Sequence, residues 1–318
     1  MKIGILGAGA MGCMIASFLL QGGADVFLVS RNKENMDAIR QNGLSFDLAG
    51  TPLLSKPQTY VNPDDAEKCD ILIILTKCQD TYTALKKATN LYNDHTYLIS
   101  LQNGLGNENT LLQFTDKDHV CYGTINAGSV MYEPGKIRLK GSTDTLKEAI
   151  FLKCLSSEKP SILHELINAF SAGGITATYS ENIDEMIWRK ATFNVASSFL
   201  FAICQVKGQD VADMPEVTDI QKKIIQEMKD VAFAKGIPFD FEKNWSNYEN
   251  AMIHALQFGY PSSVSDVFHK KATEIDYMNG FISKEGNRLG IPTPINDTIT
   301  TIVHILEHTY EYKYSERL

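Results

Sequence analysis

The sequence predicts an α/β protein in two parts: an N-terminal, Rossmann-type doubly wound sheet over residues 1–180, then an all-helical C-terminal domain over 181–318. Three observations predict it. A short apolar strand at the N-terminus runs into glycine-spaced residues and then a helix. Uninterrupted apolar runs recur ahead of helical stretches, as expected of parallel strands buried on both faces. After Ser180 glycine thins out and helical periodicity dominates.

At 318 residues the chain is long enough for two domains with cores of their own. Net charge is −8 and no basic block stands out, which argues against nucleic-acid binding, since phosphate neutralisation needs clustered Lys and Arg. No apolar stretch approaches the roughly 18 residues of a membrane span. The N-terminus lacks the pattern of a signal peptide. Six scattered cysteines (13, 69, 78, 121, 154, 204) form no C-x-x-C pair, so free thiols in a reducing cytoplasm are expected.

Residues 2–6, "KIGIL", read as a buried strand. Gly7-Ala8-Gly9-Ala10-Met11-Gly12 follows in G-x-G-x-x-G register, then a helix ending at Gly22-Gly23, then a second strand over 25–30. Each glycine has a distinct physical task in a dinucleotide site. Gly7 permits the tight turn, Gly9 lets a diphosphate approach the backbone, and Gly12 lets the helix pack on the strand. The helix N-terminus offers N–H groups and partial positive charge to phosphate. A purely structural glycine turn is the competing reading.

The end of the second strand discriminates between cofactors. NAD sites place Asp or Glu there, for the ribose hydroxyls. Here the residues are Ser30-Arg31-Asn32-Lys33. A guanidinium pairs well with phosphate through its planar fork. The expected cofactor is therefore NADP(H), with Arg31 on the 2′-phosphate and Ser30 or Asn32 assisting. A solvated loop arginine is the alternative.

Residues 69–77 form a further apolar strand ending at Thr76-Lys77, with a helix after it. A strand over 96–101 runs into Gln102-Asn103-Gly104. Ligands of open α/β sheets lie outside the carboxyl ends of strands, which puts Lys77 and Asn103 in place to touch cofactor or substrate. Asn-Gly also suits a plain turn, and Lys77 a plain surface. Residues 121–180 read as strands and turns, with "EPGK" (133–136) a turn, an antiparallel strand after it, and a helix over 160–174.

In the second part, "ENIDEMIWRKATFNVASSFLFAICQV" reads as one long helix. Lys190, Asn194 and Ser198 recur every four residues beside apolar Ile187, Ala191 and Val195, forming one polar stripe expected to face a cleft rather than bulk water. Helices are also predicted from Pro215 to Gly236, from Ser262 or Ser263 to Gly290, and from 296 to 313. Within the third, Glu274 lies on the side of Met278, which suggests a partly buried carboxylate; a surface Glu is the commoner case.

These residues resemble the ketopantoate reductase (2-dehydropantoate 2-reductase) family over essentially the whole chain. The match runs through "ILGAGAMG", Arg31, "TKCQDT" with Lys77, "QNGLGN" with Asn103, "WRKATFN", "TEIDYMNG" with Glu274, and "GIPTPIND". The resemblance implies NADPH-dependent reduction of 2-dehydropantoate, a 2-keto acid, to (R)-pantoate on the route to coenzyme A, in a cleft between the two domains. It implies Lys190 as general acid and Glu274 as the carboxylate that positions substrate and lysine. It further implies Asn194 and Ser262 or Ser263 as substrate ligands, and Lys77 and Asn103 at nicotinamide and substrate. Ser198 departs from the pattern: the family has a second asparagine there, followed by proline. A serine is shorter and has one donor where asparagine has two. A reductase of another 2-keto acid therefore stays open, as do a non-catalytic NADPH sensor and homodimerisation.

Overall fold

A computed structural model describes residues 1–156, 159–255 and 261–311, with the side chains of 253–255 left aside. The chain divides into two compact units, Met1–Ile183 and Asp184–Leu318.

In the first unit β1 (Lys2–Leu6), α1 (Ala10–Gln21), β2 (Asp25–Val29) and α2 (Lys33–Asn42) come first. They are followed by β3 (Leu44–Leu48), β4 (Thr51–Ser55), β5 (Gln58–Tyr60) and β6 (Ile71–Ile74). Next are α3 (Thr81–Lys87), β7 (Tyr97–Ser100), α4 (Asn107–Leu111) and β8 (Val120–Ile125). The unit closes with β9 (Gly128–Glu133), β10 (Lys136–Lys140), β11 (Ile150–Cys154), α5 (Ser161–Ala172) and β12 (Ala177–Tyr179).

Eight strands form the main sheet in the order β12-β11-β8-β7-β6-β1-β2-β5. From β8 to β5 all neighbours are parallel, while β11 runs antiparallel to β8. The order reverses direction at β1, so the carboxyl ends of β1 and β6 adjoin at the point where such sheets bind ligands. Successive strand residues point to opposite faces and feed two cores. Ile3, Ile5, Leu28, Ile71, Ile73 and Ile99 pack on the α1 side. Leu6, Phe27, Val29, Leu72, Ile74 and Leu98 pack on the other, with Leu85 of α3 and Leu111 of α4.

A second sheet, β4-β3-β10-β9, was not foreseen from the sequence. It covers the outer side of α1, where Phe46 of β3 meets Phe18 edge-on with ring centroids 5.3 Å apart. Every residue of α1 from Gly12 to Leu19 is buried as a result. A helix apolar all round is stable only when enclosed in this way.

The second unit is helical: α6 (Ile183–Phe193, which begins at the unit boundary), α7 (Phe199–Cys204), α8 (Pro215–Ala234), α9 (Phe241–Ala255), α10 (Ser262–Phe268), α11 (Asn279–Leu289) and α12 (Pro294–His308). Two expectations need correction. The long helix expected from residue 181 is interrupted by a π-turn at Asn194–Ser198 between α6 and α7. The helix expected over 262–290 is two helices, because Lys270 turns to φ +54° and the chain runs irregularly to a short 3₁₀ turn at Ile275–Tyr277. Glu274 therefore sits at a bend before that turn, not on a helical face. Ser262 is the first helical residue of α10 and Pro261 holds the cap position. The last residues of the terminal helix expected from sequence, 312–313, lie outside the described residues.

Two small cores clamp the interrupted helix. Ala196 packs with Ile225, Trp245 and Tyr248. Phe201 and Ala202 pack with Val264 and Val267 of α10.

Candidate active site

In the first unit the glycine turn is sharply differentiated. Gly7 has φ +110°, and a Cβ there would come within 2.5 Å of the Leu75–Thr76 backbone. At Gly12 an added Cβ would collide with the Gly7 carbonyl, so the helix could not seat on the strand. Gly9 is different: its φ is −75°, and an added Cβ meets nothing within 4 Å. Neither backbone conformation nor internal packing demands glycine at that position. Gly9 is also the cap residue of α1, whose first N–H groups receive no side-chain cap. Ala8 is held by its carbonyl, which accepts from Asn35 Nδ2 at 2.9 Å, while Asn35 Oδ1 accepts from Gly135 N at 2.7 Å. Ala10 and Met11 open the helix, and the Met11 sulfur accepts from Ser129 Oγ at 3.7 Å.

Ser30, Arg31 and Asn32 follow β2. Asn32 caps α2 by accepting from Asn35 N at 3.1 Å, and Ser30 Oγ accepts from Asn32 N at 3.3 Å. Arg31 is largely exposed and pairs with Asp80 Oδ2 at 2.7 Å. Lys77, half-buried, stands just past β6. Asn103, exposed, stands just past β7, and its carbonyl accepts from Cys78 Sγ at 3.1 Å and Asn107 Nδ2 at 2.9 Å. Gln102, buried, donates to Thr76 O and to Thr81 Oγ1, each at 2.8 Å. Gln102 thus ties the loop carrying Lys77 to the loop carrying Asn103. This part of Gln102 was missed from sequence; a polar residue at the end of a buried apolar strand was the available signal.

In the second unit Lys190 lies in the last turn of α6 and Glu274 at the bend before α11. The lysine is half-buried as a residue, and burial of its ammonium draws the pKa down to about 8 while the Glu274 carboxylate pulls it back up. Desolvation is the larger effect. The resulting group is a cation near neutrality that gives up its proton readily.

The π-turn places the rest of the polar stripe. Ser198, buried, donates through Oγ to Asn194 Oδ1 at 3.3 Å. A π-turn leaves backbone carbonyls without their usual helical donors. Side chains supply substitutes here: Ser197 Oγ donates to Phe193 O at 2.6 Å, Asn279 Nδ2 to Val195 O at 3.0 Å, and Ser263 Oγ to Ser198 O at 2.8 Å. Asn279 also donates to Asn296 Oδ1 at 2.9 Å, and Asn296 Nδ2 to Glu227 Oε2 at 2.7 Å. This buried relay was missed from sequence, because a lone Asn in a helical pattern carries no such signal. Ser263 is buried in that duty, whereas Ser262 beside it is exposed. Of the two serines left open by sequence, only Ser262 has its surface available to a ligand.

Among the described residues no group of His, Cys, Asp and Glu could hold a metal ion, and no helix is long and apolar enough to cross a membrane. None of the six cysteines is in a disulfide.

Comparison with known proteins finds relatives along nearly the whole chain. A 2-dehydropantoate 2-reductase of Lactococcus lactis subsp. lactis is 28% identical over 98% of this chain and 100% of its own. The structure of D-mandelate dehydrogenase with NADH and anilino(oxo)acetate superposes with a TM-score of 0.88 at 28% identity, covering 98% of this chain and 100% of that one. A PanE/ApbA family ketopantoate reductase from Ralstonia eutropha JMP134 gives a TM-score of 0.85 at 25% identity, covering 98% of this chain and all of the other. Residues 3–149 match the profile of ketopantoate reductase PanE/ApbA, and residues 182–307 that of its C-terminal part. With the glycine turn in the first match and Lys190 and Glu274 in the second, the chain belongs to the ketopantoate reductase PanE/ApbA family.

Proposed function

We propose that the protein is an NADPH-dependent 2-keto acid reductase, with 2-dehydropantoate as substrate and (R)-pantoate as product. One observation carries the reading: a lysine whose proton is loosened to a pKa of about 8 and steadied by a carboxylate. A nicotinamide cofactor, when bound, would provide the hydride that reduces the keto carbon. The chain's own part is to meet the negative charge that then grows on the carbonyl oxygen. The Lys190 ammonium stabilises that charge and donates the proton that completes the hydroxyl. Glu274 keeps the lysine charged at working pH. Asn194, oriented by Ser198, and the exposed Ser262 are the hydrogen-bonding groups proposed for substrate, and Lys77 and Asn103 those proposed at nicotinamide and substrate. Gly9 and the uncapped start of α1 suit the pyrophosphate, and Arg31 suits a 2′-phosphate.

A second reading is favoured by Ser198. Its one hydroxyl hydrogen is donated to Asn194, so it has no donor left for substrate where the family's usual asparagine carries two. It is also favoured by likeness to a dehydrogenase of mandelate, a 2-hydroxy acid. The test is a panel of 2-keto acids assayed by NADPH consumption. The expected result is the highest kcat/KM for 2-dehydropantoate. A simpler or aromatic 2-keto acid turned over faster would transfer the same mechanism to a different substrate. Tight NADPH binding with no turnover of any keto acid would make the protein a sensor.

A further inference from the structure

Asp80 ends the short 3₁₀ turn Cys78–Asp80 that leads into α3, and its backbone is already helical. Its side chain makes no cap hydrogen bond. The carboxylate turns instead to Arg31, 49 residues away in sequence, at 2.7 Å. The two residues follow β6 and β2, which flank β1 in the sheet. They therefore bracket the carboxyl end of β1, from which the glycine turn emerges.

The chemistry of such a pair toward a dinucleotide is two-sided. The end of β2 lacks the acid that normally accepts from the adenosine ribose hydroxyls. Asp80 brings a carboxylate to the same neighbourhood from another strand. A ribose 2′-hydroxyl would donate to it. A 2′-phosphate would have to draw Arg31 away from it and then stand beside a like charge. The Arg31 side chain is 86% exposed, so the pair is weakly held and opens at small cost.

We infer that Asp80 is a cofactor-specificity residue: it competes with the 2′-phosphate for Arg31 and moderates the preference for NADPH over NADH that Arg31 confers. This rests on the reading above that the first unit binds a nicotinamide dinucleotide with Arg31 at its ribose.

The test compares Asp80→Asn, Arg31→Ala and the wild-type chain, using dissociation constants for NADP⁺ and NAD⁺ and kcat/KM for NADPH and NADH with one keto acid. Both side chains are at the surface, so the variants are expected to fold, and thermal melting checks it. Asp80→Asn should raise the NADPH:NADH ratio by about fivefold, through tighter phosphorylated and weaker unphosphorylated dinucleotide. Arg31→Ala should lower that ratio by about tenfold to a hundredfold. A selective loss in Arg31→Ala with a ratio within twofold of wild type in Asp80→Asn overturns the inference alone. Equal loss of both cofactors in Arg31→Ala overturns the assignment beneath it.

Discussion

Lys190→Ala should lose about 10²–10⁴ in kcat for keto acid reduction, while dinucleotide affinity stays within about twofold. The size is that of removing the proton donor proposed for the reaction and, with it, the cation proposed to meet the developing oxyanion. Below a pH of about 8 the lysine carries its proton, so the reductive kcat/KM should be flat there and fall tenfold per unit above it. Glu274 is the group that holds the lysine pKa up. Glu274→Gln should therefore move that alkaline limb to lower pH, and a limb that stays put or moves upward would sever the two residues. Stability supplies a control. Charging a lysine drawn down from 10.5 to about 8 costs folding energy below pH 8, and the cost fades as pH rises toward 10.5. Lys190→Met should melt higher at neutral pH, by on the order of 3 kcal/mol at most. An inert but more stable variant separates a chemical role from a structural one. Activity within a few-fold of wild type in Lys190→Ala would remove it from the reaction.

The glycine turn gives the second large effect, as a contrast within six residues. In Gly12→Ala the new methyl would meet the Gly7 carbonyl, and the helix must lift from the strand. A cost of about 3 kcal/mol or more is expected, seen as a fall in melting temperature of roughly 6–12 °C. Gly9→Ala meets open space, so its stability should stay within about 1 kcal/mol of wild type. Its dinucleotide affinity should nevertheless fall about tenfold to a hundredfold, since the methyl takes the room that a phosphate needs at the backbone. Full affinity in Gly9→Ala would put the phosphates somewhere else.

The strands and helices of the N-terminal sheet were readable because their signal is local. A buried parallel strand is a short apolar run, and the helix after it begins where glycine permits. The four-stranded sheet was not readable, because β3 and β10 pair although some 90 residues separate them (Ser45 beside Lys136, for instance). Nothing in either segment names its partner. The polar spacing at 190, 194 and 198 was visible, but the π-turn that aims those residues was not. It is held by Asn279 and Ser263 from other helices, and helical periodicity is blind to such tertiary hydrogen bonds. Glu274 is the partly buried carboxylate expected, but for the wrong local reason: it sits at a bend rather than on a helical face, in the irregular stretch after Lys270, whose left-handed conformation lysine seldom advertises. Arg31 was singled out from sequence as a candidate for a phosphate, while its engagement with Asp80 required the fold.

The enclosure of α1 between two sheets bears on how the molecule breathes. Between residues 12 and 19 neither face of the helix borders water, so the amide protons there have no direct route to solvent. They can exchange with deuterium only when one of the covering layers comes away, and the smaller layer is joined across a long excursion of the chain. Hydrogen-exchange mass spectrometry should therefore find residues 12–19 among the slowest in the first unit, leaving in a single cooperative step together with 44–48 and 136–140. Rapid, independent exchange of that helix would mean that the outer layer opens readily in solution.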